Sequence, residues 1–232
     1  DGSIRLNTII ELAKKDNIQL PSYDIDKLKN IIIINKQLNS LKKYISKFDI
    51  PLSVLQTPSS LKRAAFELAE DCYHDGVIYL ELRYSPILHT RKDMKLSETI
   101  DAVYLGLLKA EKIYNIKTGI IICGIRSISP KYSYKLAELS IKYKNKGIIG
   151  FDLAGEEDNY PAKKHKEAFQ LIQDNNIKTT IHAGEAYGPE SIAQAIHICG
   201  AIRIGHGTRL KEDLNLMKYV NKHKIPLEIC LT

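Results

Sequence analysis

The run Thr179-Thr180-Ile181-His182-Ala183-Gly184-Glu185 ends a β-branched stretch on an imidazole and sets a carboxylate three residues further on. Two other apolar runs end in the same manner. Asp152 precedes Leu-Ala-Gly-Glu-Glu, and His206 lies within Gly205-His206-Gly207. An imidazole at a rigid strand end suits a metal ligand, because a neutral ring nitrogen binds zinc well. Glu185 follows a flexible Ala183-Gly184 turn that can swing its carboxyl back over a pocket. Beside a metal such a carboxyl can donate or accept a proton. His206, between glycines that permit close approach, is placed to orient or deprotonate a water activated by the metal. One histidine cannot hold zinc, since catalytic sites use three protein ligands and one open position. The chain contains no H-x-H and no H-E-x-x-H. The residues alone therefore lead to an incomplete metal-hydrolase site.

Six short apolar runs recur along the chain, at Val77–Tyr84, Thr118–Cys123, Gly147–Asp152, Lys178–His182, Ile202–His206 and Ile225–Cys230. Between them, Ile100, Val103, Tyr104, Leu107 and Leu108 fall at helical spacing, as do Ile192, Ala195, Ile196 and Cys199. Gly76, Gly147 and Gly200 stand where each helix hands over to a strand, the place for a left-handed cap. Alternating units of this kind imply a parallel sheet, either doubly wound or closed as a TIM barrel. No G-x-G-x-x-G follows the first strand, which weakens the dinucleotide-binding alternative. Only in a barrel do the ends of many successive strands converge on one site, and three acid or imidazole groups in phase favour it. The expected fold is thus an α/β (β/α)8-type barrel with six of its eight strands present, forming a single domain over residues 1–232.

The 232 residues, 44% hydrophobic and 26% charged, suffice for one sizeable core. The four cysteines lie far apart without a C-x-x-C pair, which argues against a disulfide framework and for a reducing, cytoplasmic setting. No apolar run is long enough to span a bilayer, and Ile31–Ile34 reads as a helix with an apolar face. The net charge of +7 is spread over scattered lysines, so neither nucleic acid nor membrane is an expected partner. His74, in His74-Asp75-Gly76, reads as a helix-ending turn. His89, His165, His197 and His223 read as structural residues in loops or on polar helix faces. Ser85 lacks a G-x-S-x-G context, and the absence of P-C-x-x-C excludes the cytidine-deaminase type of zinc site.

Four ordered blocks carry a resemblance: Leu80-Glu81-Leu82-Arg83-Tyr84-Ser85-Pro86, Gly150-Phe151-Asp152-Leu153-Ala154-Gly155-Glu156-Glu157, Ile181-His182-Ala183-Gly184-Glu185 and Arg203-Ile204-Gly205-His206-Gly207. Together they resemble the successive blocks of the adenosine deaminase family, and related AMP and adenine deaminases share much of the pattern. The resemblance implies a zinc-dependent (β/α)8 barrel that hydrolyses adenosine, and 2′-deoxyadenosine with it, to inosine and ammonia in purine salvage. It makes His182 a Zn2+ ligand and Glu185 the acid that protonates purine N1. His206 becomes the histidine that activates the attacking water, and Gly155 a glycine whose N–H contacts the purine. Asp1 corresponds to an aspartate that contacts the ribose hydroxyl. In this family the segment around Ile31–Ile34 helps cover the pocket.

The departures lie at the ends. The family's paired zinc histidines would precede Asp1, and its zinc-binding aspartate would follow Thr232. The chain also begins without a methionine, so the expectation is a fragment, with an earlier leader left open. As given, it is expected to bind zinc poorly and to leave adenosine unconverted, which stoichiometric zinc and full activity would contradict. Two alternatives remain open, another barrel amidohydrolase acting on a different amine or amide, and a non-catalytic binding module. The partner expected is a small-molecule purine nucleoside, and the oligomeric state is not legible.

Overall fold

Helix caps and a parallel strand ladder organise the chain into two compact units, Asp1–Gly119 and Ile120–Thr232. The computed structural model describes residues 2–33 and 41–230.

The first unit opens with α1 (Leu6–Lys15), α2 (Ile25–Ile32), α3 (Leu41–Ile45) and α4 (Asp49–Val54). α2 starts on Asp24, whose carboxylate accepts the N–H of Lys27. It stops at Ile32, with Ile33 exposed, so the apolar stretch at 31–34 is helical only at its beginning; Ile34 lies outside the described residues. α5 (Pro58–His74) begins with a reciprocal cap in which Thr57 and Ser60 each bond the other's N–H at 3.2 Å, with Pro58 in its first turn. It ends at His74, and Gly76 follows with φ 85°, the turn expected there. β1 (Tyr79–Tyr84) and α6 (Leu96–Ile113) complete the unit. α6 buries Ile100, Val103 and Leu107 as its spacing requires, while Tyr104 and Leu108 stay half-buried. Gly106 lets α6 approach α5: a Cβ there would stand 2.4 Å from the Lys62 carbonyl oxygen. α1 is tied to α5 by Thr8 Oγ1, which donates to Glu67 at 2.6 Å, and by Arg5, whose Nη2 lies 2.7 Å from Glu70. β2 (Lys117–Ile125) starts in this unit, where the Lys117 N–H donates to Ile78 O at 2.9 Å, and continues into the second.

The second unit then alternates without exception: α7 (Pro130–Lys142), β3 (Ile148–Ala154), α8 (Lys166–Asp174), β4 (Lys178–Ala183), α9 (Pro189–His197), β5 (Arg203–His206), α10 (Leu214–Lys222) and β6 (Leu227–Glu228). Strand order follows chain order and the pairings from β2 to β6 are parallel. A doubly wound sheet would reverse its order at a switch point, whereas successive βα units laid down in one direction are the barrel pattern. The fold is therefore α/β of the (β/α)8 type, with six strands among the described residues.

The sequence runs matched strands at every position, with shifted ends. β3 continues two residues past Asp152, so that aspartate lies inside the strand rather than closing it. β6 holds only Leu227–Glu228 of the expected Ile225–Cys230. Gly147 (φ 82°) and Gly200 (φ 62°) make the left-handed hand-overs expected of them. On β3, Phe151 faces α8 and meets Phe169 edge-on with ring centroids 5.4 Å apart. Strand alternation therefore turns Asp152 to the opposite face of the sheet.

Candidate active site

His182 sits one residue before the end of β4, and its Nδ1 lies 2.9 Å from Asp152 Oδ2. The Asp152 side chain is completely buried, and its other oxygen accepts the Leu153 N–H at 2.7 Å. A buried carboxylate facing one ring nitrogen fixes the ring's orientation. In the tautomer that donates Nδ1–H to it, Nε2 carries the lone pair. Arg126 secures the same residue from behind, its Nη2 donating to the His182 carbonyl at 2.7 Å and its Nη1 to the Tyr160 carbonyl at 2.9 Å. Burial lowers the Arg126 pKa, and the nearby Glu157 and Asp152 carboxylates oppose that fall.

His206 ends β5 in a left-handed conformation, φ 68°, followed by Gly207 at φ 67°. In register, His182 pairs with Gly205 and Ala183 with His206, so regular alternation would send the His206 ring to the face opposite His182. The left-handed backbone breaks that alternation, and the two rings lie 5.3 Å apart. Such a backbone costs a non-glycine residue about 1–3 kcal/mol and persists only where its surroundings hold it. Gly205 leaves room for this, since a Cβ there would come within 3.2 Å of His182 Cα. His206 Nε2 stands 3.7 Å from Glu185 Oε2, an ion-pair distance wider than a direct hydrogen bond. Both side chains remain partly exposed, 17% for His206 and 31% for Glu185.

The loop that presents Glu185 hangs from a residue the sequence did not single out. Glu157 is 3% exposed, and its carboxylate accepts the N–H groups of four consecutive residues. The distances are 2.7 Å from Gly184, 3.0 Å from Glu185, 2.6 Å from Ala186 and 2.9 Å from Tyr187. The Ser191 hydroxyl adds a fifth bond at 2.7 Å. Gly184 adopts φ 70°, and a Cβ there would come within 2.5 Å of Ile192 Cδ1. The β5 loop closes on the same turn: Thr208 Oγ1 donates to the Gly184 carbonyl at 2.7 Å and the Arg209 N–H to it at 3.1 Å. The sequence signals for these supports were an arginine three residues past the apolar run Thr118–Cys123 and the doublet Glu156-Glu157, of which Glu157 is buried in the fold.

Gly155 follows β3 at φ 102°, a conformation that favours glycine, beside the Arg126 backbone. Asp1 lies outside the described residues. The structure thus gathers His182, Glu185 and His206, joined by Asp152, at the ends of β3, β4 and β5. For a metal, His182 has suitable donor chemistry. No group of three His, Cys, Asp or Glu side chains able to hold an ion occurs among the described residues, so His182 fits as one member of a donor set that they do not complete. Two histidines expected in loops or on polar faces are instead buried in short 3₁₀ turns. His165 bonds Ser133 Oγ at 2.8 Å and the Arg126 carbonyl at 3.2 Å, and burial lowers its pKa. His89, in the first unit, lies 2.8 Å from the Leu55 carbonyl, and burial pushes its pKa down to about 4. His197 and His223 are exposed, as expected. No helix among the described residues is long and apolar enough to cross a membrane.

Parallel βα units laid down in one direction, with imidazole and carboxylate groups toward successive strand ends, define a protein of the α/β-barrel class. The model of the adenosine deaminase family matches residues 1–232, and the chain belongs to that family. It is 44% identical over its whole length to a probable adenosine deaminase of Dictyostelium discoideum, of which it spans 30%. It is 42% identical to an adenosine deaminase of Clostridium botulinum, again over its whole length and over 69% of that relative. In fold it matches the crystal structure of adenine deaminase from Arthrobacter aurescens with a TM-score of 0.90, at 23% identity, covering 99% of this chain and 68% of that one. An amidohydrolase from Burkhoderia ambifaria with bound zinc matches at a TM-score of 0.86 and 18% identity, covering 98% and 62%. An Arabidopsis structure complexed with GMP matches at 0.85 and 25% identity, covering 100% and 68%.

Proposed function

We propose that this chain carries the proton-handling part of a zinc-dependent deaminase that converts adenosine, and 2′-deoxyadenosine, to inosine and ammonia. Residues 1–232 would form part of one barrel domain acting in cytoplasmic purine salvage. The observation that carries the reading is the arrangement at the ends of β4 and β5, where His182, oriented by the buried Asp152, lies beside a His206 that faces Glu185.

His182 would be one ligand of a zinc ion, which when bound supplies the Lewis acidity that makes water nucleophilic near neutral pH. The chain's own groups move the protons. Glu185 donates its proton to purine N1, which makes C6 electrophilic, while His206 takes one proton from the attacking water. As the C6–N bond breaks, the His206 proton leaves with the amine as ammonia. C6 becomes a carbonyl, its hydroxyl proton restores Glu185, and N1 keeps the proton it received. The Gly155 N–H supports the purine, and Asp1 keeps the ribose contact that the resemblance assigns to it.

The ultraviolet change as adenosine becomes inosine tests the reading on the full-length, zinc-loaded protein. The expected result is turnover, with kcat reduced by ~10²–10⁴-fold in Glu185→Gln. Adenosine left untouched while another amino-purine or an amide is hydrolysed would sink it. That outcome favours the second reading, another barrel amidohydrolase, for which the fold match to an adenine deaminase is the specific support.

A further inference from the structure

We infer that Glu157 is the positioning residue of the candidate acid, because its buried carboxylate collects the N–H groups of residues 184–187 and so fixes the backbone from which Glu185 projects. The inference rests on the reading of Glu185 as the proton donor.

Four consecutive N–H groups turned to one point form a concave anion-binding nest, which a dipeptide turn with Gly184 at φ 70° makes possible. Such nests usually receive a ligand; here a side chain of the same molecule fills it. A carboxylate 3% exposed is costly to bury unless donors replace its water. Glu157 has five, with Oε1 shared by Gly184 and Ser191, and Oε2 by Glu185, Ala186 and Tyr187. The buried Arg126 supplies opposite charge nearby and holds the His182 carbonyl, three residues before Glu185. The two charges thus grip one strand end by its backbone, the cation by a carbonyl and the anion by the amides beyond it. The side chains of His182 and Glu185 stay available for chemistry. Charge matters as well as shape, because a neutral amide in place of Glu157 would turn an NH₂ toward amides that need an acceptor.

Glu157→Gln, nearly isosteric, is the test, with amide hydrogen exchange at 184–187 as the readout that requires neither metal nor substrate. The expected result is at least ~10-fold faster exchange at those amides, with β2 and β3 amides unchanged. In the full-length, zinc-loaded protein kcat is expected to fall ~100-fold with KM within about threefold, since a displacement near 1 Å costs about that much. Combined with Glu185→Gln, the change is expected to add less than threefold, because the clamp has no acid left to position. Unchanged exchange at 184–187, or a loss that multiplies in full onto that of Glu185→Gln, overturns the inference. A Glu185→Gln enzyme that remains fully active overturns the acid assignment instead, and the exchange pattern still decides whether Glu157 holds the loop. Should Glu157→Gln fail to fold, Ser191→Ala removes one of the five donors and is expected to raise exchange at 184–187 about threefold; no rise overturns the clamp.

Discussion

The neighbouring strands β4 and β5 each deliver one histidine to the site, yet they are held in different ways. Beyond His182 the chain is gripped from outside, by Arg126 on a carbonyl and by Glu157 on four amides. At His206 the backbone takes a strained shape, with successive left-handed residues at φ 68° and 67°, and the Gly207 N–H ties it to the Ala183 carbonyl of β4 at 3.0 Å. The β4 arrangement uses buried charge to hold the backbone of the loop that carries Glu185. The β5 arrangement spends backbone strain to turn a ring across the face it would otherwise leave. The β4 turn is closed to an added Cβ, which at Gly184 would stand 2.5 Å from Ile192 Cδ1, whereas at Gly205 on β5 the nearest atom is 3.2 Å away.

The largest effect should come where both devices meet. Gly184→Ala places a Cβ 2.5 Å from Ile192 Cδ1 on a residue whose φ of 70° already disfavours a side chain. Overpacking and left-handed strain together are expected to destabilise the second unit by ~3 kcal/mol. Chemical denaturation of the variant measures this, and a loss under ~1 kcal/mol would show that the β4 turn is softer than its five-donor grip implies.

How much of this was legible beforehand follows the same division. The β5 device was visible in part, since Gly-His-Gly announces close approach, although the break in strand alternation at His206 needs the dihedral angles. The six strands and their glycine hand-overs were readable because β-branched runs and left-handed caps are local properties. The short β6 and the prolonged β3 were not, because a ladder ends where its neighbour stops pairing. The grip on β4 was invisible for a deeper reason. Glu157 and Arg126 act on backbone groups, which have no sequence signature, and the first of them reaches amides 27 to 30 residues away. His89 and His165 were read as structural residues in loops or on polar helix faces, and their burial was not legible because nothing local reveals a carbonyl or hydroxyl waiting in the interior.

Gly205→Ala tests the self-strained end at smaller amplitude. Its Cβ would meet His182 Cα at 3.2 Å and Cγ at 3.5 Å, a contact that a few tenths of an ångström of movement relieves. The expected cost is ~1 kcal/mol of stability, because the space is tight rather than closed. Activity of the full-length protein is expected to fall about tenfold, since the imidazole of His182 moves with its backbone. Activity lost without any change in stability would mean that the ring alone yields.

The smallest effect separates the site histidines from a structural one in the same unit. His165 is 1% exposed, bonded at both ring nitrogens, and burial depresses its pKa below the ordinary histidine value. At pH above ~6.5 the ring is neutral folded and unfolded, and its contribution is fully present. As pH falls below that value the unfolded chain takes up a proton that the folded chain resists, so stability declines toward the folded pKa. Replacing His165 with Gln, which cannot charge, is expected to flatten the loss of denaturation midpoint between pH 6.5 and 5, at some cost in stability at pH 7.5. Since His165 bonds the Arg126 carbonyl while Arg126 holds His182, the same variant reports whether the β4 grip extends to the interior. A pH slope identical to that of the unaltered protein would assign the acid sensitivity of this unit to other groups and leave His165 as packing alone.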